Sequence, residues 1–306
     1  MPASLTCPMP PACARRRRLL LAAACAPLAA CATRAAPPAL SVDALAQAMA
    51  ARPVVLLGEV HDNPVQHRAR LEALERRIAQ GMRPAIAFEQ FDRGQQAAID
   101  AIVADGADAD ARAARIVERL GVRGWDWPLY RPFLQLALRH RLPIVAANLS
   151  RADATRVARG AGFEAVLDRE ALARLAPDRL PPDVMRAHER AVDDGHCNAM
   201  PAASLPPLAR AQIARDAVLY ESIRSYLARE LVLLTGNGHA RNDIGVPRFM
   251  RADERARTVT IGLIEAPADG ESLPASWPAR FDAAFITPRH TRPDPCEAFR
   301  RSRKAG

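Results

Sequence analysis

The sequence predicts an α/β protein: a largely parallel sheet covered by helices on both faces, with a smaller helical subdomain. Three observations carry that expectation. Short runs that are apolar throughout recur along the chain, segments of helical periodicity separate them, and the interval 151–230 holds no convincing strand. A strand covered on both faces is apolar at every position, and parallel neighbours need a helical crossover between them.

The elements follow in order. VVLLGEV (54–60) is short, β-branched and apolar, so it reads as a buried strand. Asp62-Asn63-Pro64 then offers a cap and a proline near the first helical position, opening a helix to about residue 80. PAIAFEQF (84–91) is a second strand, followed by helices from about 94, over 109–120 and over 133–141. PIVAANL (143–149) is a third strand. Prolines 177, 181, 182, 201, 206 and 207 break the helical interval, which ends in a long helix over about 208–229. There Ile213, Ala217, Tyr220 and Leu227 share one apolar face. LVLLTGNG (231–238) and RTVTIGLIEA (257–266) are strands four and five, and FDAAFIT (281–287) is a candidate sixth. The expected organisation is a leader (1–30), a tether (31–44), an α/β domain (45–150 and 231–290), the helical subdomain (151–230) and a basic tail (291–306).

The chain has 306 residues, 49% hydrophobic, and a formal net charge of +9. Four of those positive charges are Arg15 to Arg18, directly before the apolar LLLAAACAPLAA (19–30). A charged segment, a short apolar core and then Leu28-Ala29-Ala30-Cys31 resemble a bacterial lipoprotein signal with acylation at Cys31. The expectation is a lipid-anchored protein of the bacterial cell envelope, on the outer membrane facing the periplasm. A second basic cluster, Arg300 to Lys304, lies at the C-terminus. No basic patch interleaved with aromatics points to nucleic acid. Once the leader is removed and Cys31 acylated, Cys197 and Cys296 remain; an oxidising compartment permits them to pair, and the sequence leaves open whether they do.

Ligands of open parallel sheets bind beyond the C-terminal strand ends. Three of those ends carry polar groups: Glu59 and His61, Glu89, and Asn237 with His239. Two carboxylates and two imidazoles are the donor set for general acid–base chemistry or for a divalent metal, so a hydrolase of esterase or peptidase type is one reading. A scaffold whose buried polar network only ties loops together is another.

GEVHDN (58–63), FEQFDR (88–93), WDWPLYRP (125–132), ANLSR (147–151), GHCN (195–198), AQIARDA (211–217) and TGNGHAR (235–241) occur in this order. Together they resemble the ChaN-like family of haem-binding, iron-regulated bacterial lipoproteins, within the erythromycin esterase/Tiki-like superfamily. The resemblance implies haem held in a homodimer and a role in haem or iron uptake. Haem needs an axial ligand, an apolar slot and cations for its propionates. The candidate contacts are Tyr130 with Arg131 in the aromatic WDWPLYRP, Tyr220, Tyr226, and the histidines His188 and His196. His67 and His140 read as helix-surface residues.

Overall fold

The computed structural model describes residues 37–267, 273–274, 276–294 and 296–297. The leader, Cys31 and the cluster Arg300 to Lys304 lie outside them. The order is α1 (Val42–Ala50), β1 (Val54–Leu57), α2 (Pro64–Ala79), β2 (Ala85–Asp92), α3 (Gln96–Ala104), α4 (Ala109–Leu120) and α5 (Trp127–Arg139). Then come β3 (Ile144–Asn148), α6 (Arg151–Ala158), α7 (Arg169–Leu175), α8 (Pro182–Gly195), α9 (Leu205–Ile223), β4 (Leu231–Leu234), α10 (Asn237–Ala240), α11 (Ala252–Ala256), β5 (Thr258–Glu265) and β6 (Ala283–Thr287).

The strands form one sheet in the order β3-β2-β4-β1-β5-β6, every neighbouring pair parallel. Alternate residues of each strand face opposite layers. Val55, Leu57, Ile86 and Phe88 pack under α1 to α5. Val54, Leu56, Ala85 and Ala87 pack under α6, α7 and α9, where Ile213, Ala217 and Tyr220 form the covering face. Burial on both sides is why these strands are apolar throughout.

Four boundaries differ from expectation. β1 stops at Leu57 rather than at 60. The side chain of Asn237 crosses beyond that point and takes up the ladder with β5, donating to the Leu263 carbonyl at 2.6 Å and accepting from its amide at 3.2 Å. Only glycine leaves room, since a Cβ on Gly58 would lie 2.4 Å from Asn237 Oδ1. Helix α5 starts at Trp127, six residues early, because Pro128 falls in the first turn, where no backbone N–H is needed. Helix α9 begins at Leu205 for the same reason, with Pro206 and Pro207 in its opening turn, and ends at Ile223. The tether gives way to structure before residue 44. The Leu40 amide donates to Ile286 at 2.8 Å, placing the chain beside β6, and Ser41 caps α1 by accepting from the Ala44 amide at 3.1 Å.

Cys197 and Cys296 form a disulfide, with Cα atoms 5.5 Å apart. It closes a loop of 99 residues, which in the chain-entropy account destabilises the unfolded chain by about 4–5 kcal/mol. The same C-terminal segment is tied to the exit of β1. Arg292 pairs with Asp62 at 2.7 Å and with Glu265, and Asn63 donates to the Pro288 carbonyl at 3.0 Å. Among the described residues, no helix is long and apolar enough to cross a membrane.

Candidate functional site

The C-terminal ends of β1, β2, β3 and β4, together with α8 and α9, enclose a cleft of about 730 Å³. Glu59, His61, Glu89, His188, His196 and His239 all line it, so the strand-end residues and the helical-region histidines meet in one place. Two carboxylate centres stand on its floor.

The first is Glu59, which the turn after β1 carries under the sheet edge. Its Oε1 accepts from the Tyr130 hydroxyl at 2.5 Å and lies 3.0 Å from His61 Nδ1. Its Oε2 pairs with Arg70 and lies 3.5 Å from His67 Nε2. Both Glu59 and Arg70 have fully buried side chains, so each charge depends on the other. His67 donates from Nε2 to the His61 carbonyl at 2.9 Å. Burial, aided by neighbouring His61, brings His67 down to about 4, so it is neutral. The exposed helix-surface role expected for His67 is therefore wrong: it is 3% exposed and helps enclose Glu59. His61 itself stays 48% accessible, edged by the Trp125 ring at 4.7 Å.

The second centre joins β2, β4 and α9. Glu89 Oε2 accepts from the Thr235 hydroxyl at 2.6 Å and the Gly236 amide at 2.7 Å. The Gly236 amide is thus held by a protein carboxylate and is not open to an anion. Glu89 Oε1 faces His239 Nε2 at 3.5 Å, and His239 Nδ1 meets Asp216 Oδ1 at 2.7 Å. Burial works against every charge here. It lifts Asp216 to about 6 against the pull of His239. It would raise Glu89 too, but the His239 and His61 rings bring that carboxyl down to about 2. Burial would also strip the proton from His239, yet Glu89 and Asp216 on either side hold it up at about 9. At neutral pH the unit is carboxylate–imidazolium–carboxylate.

The two centres touch at Gly236, where a Cβ would stand 2.7 Å from His61 Cε1. Arg215 braces the far wall, donating to Asn148 Oδ1 at 3.0 Å and to the Leu149 carbonyl at 2.9 Å. Flat and apolar walls come from Trp125, Trp277, Val192, Leu149 and Ile244, and cations from Arg123, Arg151 and Arg215. Among the described residues, no group of three or more His, Cys, Asp or Glu is arranged to hold a metal ion.

The tyrosines fall elsewhere. Tyr130 is fully buried behind Glu59, and Tyr220 is in the core with its hydroxyl donated to Glu254 at 2.9 Å. Burial raises the phenol of each well above its ordinary range. Tyr226 lines a separate hollow of about 380 Å³ beside Arg93 and β3. Arg131 is exposed and off the cleft, where Arg123 stands instead. Arg70, Arg123, Arg215, Asp216 and Trp277 are site residues not singled out from the sequence.

The family described as haem-binding uptake, Tiki superfamily, ChaN matches residues 45–250, more than half of the chain. The chain belongs to this ChaN family. A solved structure described as cofacial heme binding to ChaN of Campylobacter jejuni superposes with a TM-score of 0.59 at 19% identity, over 76% of this chain and 88% of that one. That likeness is one of fold. An erythromycin esterase mutant, EreC in its open conformation, gives a TM-score of 0.41 at 13% identity, over 74% and 73% of the two chains. A Bacillus cereus protein gives 0.40 at 12%, over 77% and 74%. No curated protein matches the sequence. In this ChaN-family chain the family match spans the ends of β1 to β4 and with them both carboxylate centres.

Proposed function

We propose that this protein binds haem in the cleft and serves haem or iron uptake. It acts as a lipoprotein acylated at Cys31, held on the outer membrane facing the periplasm, and pairs into a homodimer when haem is bound. The observation that carries the reading is the cleft's lining. Two indole walls, Trp125 and Trp277, and aliphatic Val192, Leu149 and Ile244 suit a flat apolar macrocycle, while Arg123, Arg151 and Arg215 suit its propionates. Bound haem would supply an iron centre, and the chain's own part is to orient it and to neutralise its carboxylates. Family membership supports the same cofactor.

Hemin added to the mature protein is expected to give a saturable Soret shift. Changing Arg123 and Arg151 together to glutamine should weaken binding roughly tenfold or more, the loss expected for charge-assisted hydrogen bonds. A wild-type protein without a saturable shift would sink the haem reading.

One feature favours a second reading. His61 keeps Nδ1 on Glu59 at 3.0 Å while its ring faces the cleft, the arrangement of a general base oriented by a carboxylate. Cationic His239, held at Nδ1 by Asp216 at 2.7 Å, is the matching acid. On that reading the protein is a hydrolase working by acid–base chemistry. Ester or peptide cleavage that survives His61→Ala unchanged would rule this site out as its source.

A further inference from the structure

Helix α8 walls the cleft with a single face, the i, i+3, i+4 and i+7 positions His188, Ala191, Val192 and Gly195. A left-handed turn ends the helix. Cys197 has φ 66° and Asn198 φ 53°. The Cys197 amide donates back to the Asp194 carbonyl at 3.1 Å, and the Asn198 amide to the Asp193 carbonyl at 2.8 Å. Glycine is the usual residue in that conformation, and a cysteine stays there where its surroundings hold it. Here the holder is the bond to Cys296.

Cys296 belongs to a strap fastened on the β1 side of the cleft. Its amide donates to Asp294 Oδ1 at 2.9 Å, Arg292 pairs with Asp62 at 2.7 Å, and Asp62 directly follows the lining residue His61. The strap thus ties the β1 exit to the end of α8, and the disulfide is its covalent join. Both cysteines are half-buried, within reach of a small dithiol.

We propose that the Cys197–Cys296 disulfide is a redox-operated clamp on the cleft: intact it holds the last turn of α8 in place, and reduction by a dithiol loosens that turn and speeds ligand release. One thiolate of the dithiol attacks a cystine sulfur, forming a mixed disulfide and expelling the other cysteine as a thiol. The second thiol then closes the reagent's own disulfide, so two electrons and two protons pass to Cys197 and Cys296. Without the cross-link Cys197 leaves the left-handed region, the two capping bonds open, and Val192 and Gly195 lose their fixed positions. Buried Val184 and His188 keep the rest of α8 docked, so the loosening stays local. Its consequence for haem rests on the binding reading above.

Hydrogen exchange of the ligand-free mature protein, oxidised and then reduced with dithiothreitol, tests the clamp itself. Peptides covering 191–199 should exchange about tenfold faster after reduction, the equivalent of one left-handed residue no longer held, with the sheet unchanged. No change there, or an equal rise throughout the chain, overturns the proposal. Hemin transfer to apomyoglobin, measured after the reagent is removed without air, tests the consequence. Release should be about tenfold faster from reduced wild type, and equally fast from Cys197→Ser/Cys296→Ser in either state. Cys197→Gly/Cys296→Ser should release slowly again, because glycine keeps the cap without a cross-link. Equal rates from the serine and glycine variants, or a wild-type rate indifferent to reduction, overturn the proposal. A wild type that takes up no hemin is the separate failure of the haem reading, and the exchange result then decides the clamp alone.

Discussion

Replacing Arg70 by methionine is expected to lower the free energy of unfolding by about 3–5 kcal/mol, a large share of the 5–15 kcal/mol typical of a domain. The guanidinium is entirely buried in α2, pairs with Glu59, donates to the Leu57 carbonyl at 3.2 Å and lies 5.5 Å over the Phe133 ring. Methionine fills most of the volume but leaves the Glu59 carboxylate inside the protein with only a phenol and imidazoles for company. Adding Glu59→Gln to the same variant removes the stranded charge and should recover part of the loss. Urea unfolding of both variants measures this. If Arg70→Met alone shifts stability by less than about 1 kcal/mol, Glu59 is not held as an ion by Arg70.

Stability should peak near pH 6.5 and fall on either side. His239 binds its proton more tightly in the folded state, at about 9 against an ordinary 6.5. Its contribution is therefore complete below pH 6.5 and disappears as pH rises through about 9. His67 and His188 are displaced the other way, to about 4, so theirs is complete above pH 6.5 and is lost as pH falls through about 4. Glu89, held at about 2, adds a further loss below its ordinary 4.5. Asp216 opposes these: raised to about 6, it stabilises most below 3.8 and makes the acid limb shallower. Each displacement corresponds to about 3 kcal/mol, so both limbs should be visible. Unfolding titrations between pH 4 and 9 provide the check, with His239→Gln expected to flatten the alkaline limb selectively. An alkaline limb equally steep in that variant would show that His239 is not its origin.

Much of this site could be read from residue order alone, because a sheet covered on both faces writes its strands as uninterrupted apolar runs and leaves polar residues only where they end. Glu59, Glu89 and His239 stood out for that reason. The residues that escaped notice lie on helices. Gln66, His67 and Arg70 sit in an arginine-rich helix that looks solvated, yet they share a face with Ala69, Ala73 and Leu74. That face turns polar just where it passes beneath Glu59, and the change was the available signal. Asp216 likewise falls three residues after Ile213 on the covering face of α9, and a carboxylate there needs a partner such as His239. The histidines His188 and His196 could be named but not placed, since nothing local states that α8 turns its face to the sheet edge. Whether Cys197 meets Cys296 depended on the path of the last strand, which spacing does not encode.

The position of β4 governs how the protein can be made. β1 and β2 are synthesised first but are not neighbours: β4, about 140 residues after β2 and 170 after β1, is the strand that pairs with both. Until it is translated, the two earlier strands have no common neighbour and present open edges, the form in which sheets recruit foreign strands. Gly236 and His239 follow β4 directly, so they reach Glu89 in the same event that joins β1 to β2. Assembly of the cleft floor and the joining of β1 to β2 thus share one long-range step, after which β5 and β6 extend the sheet. A ribosome stalled anywhere before residue 231 would release not a partial binder but an incomplete sheet, one with neither cleft nor closed core.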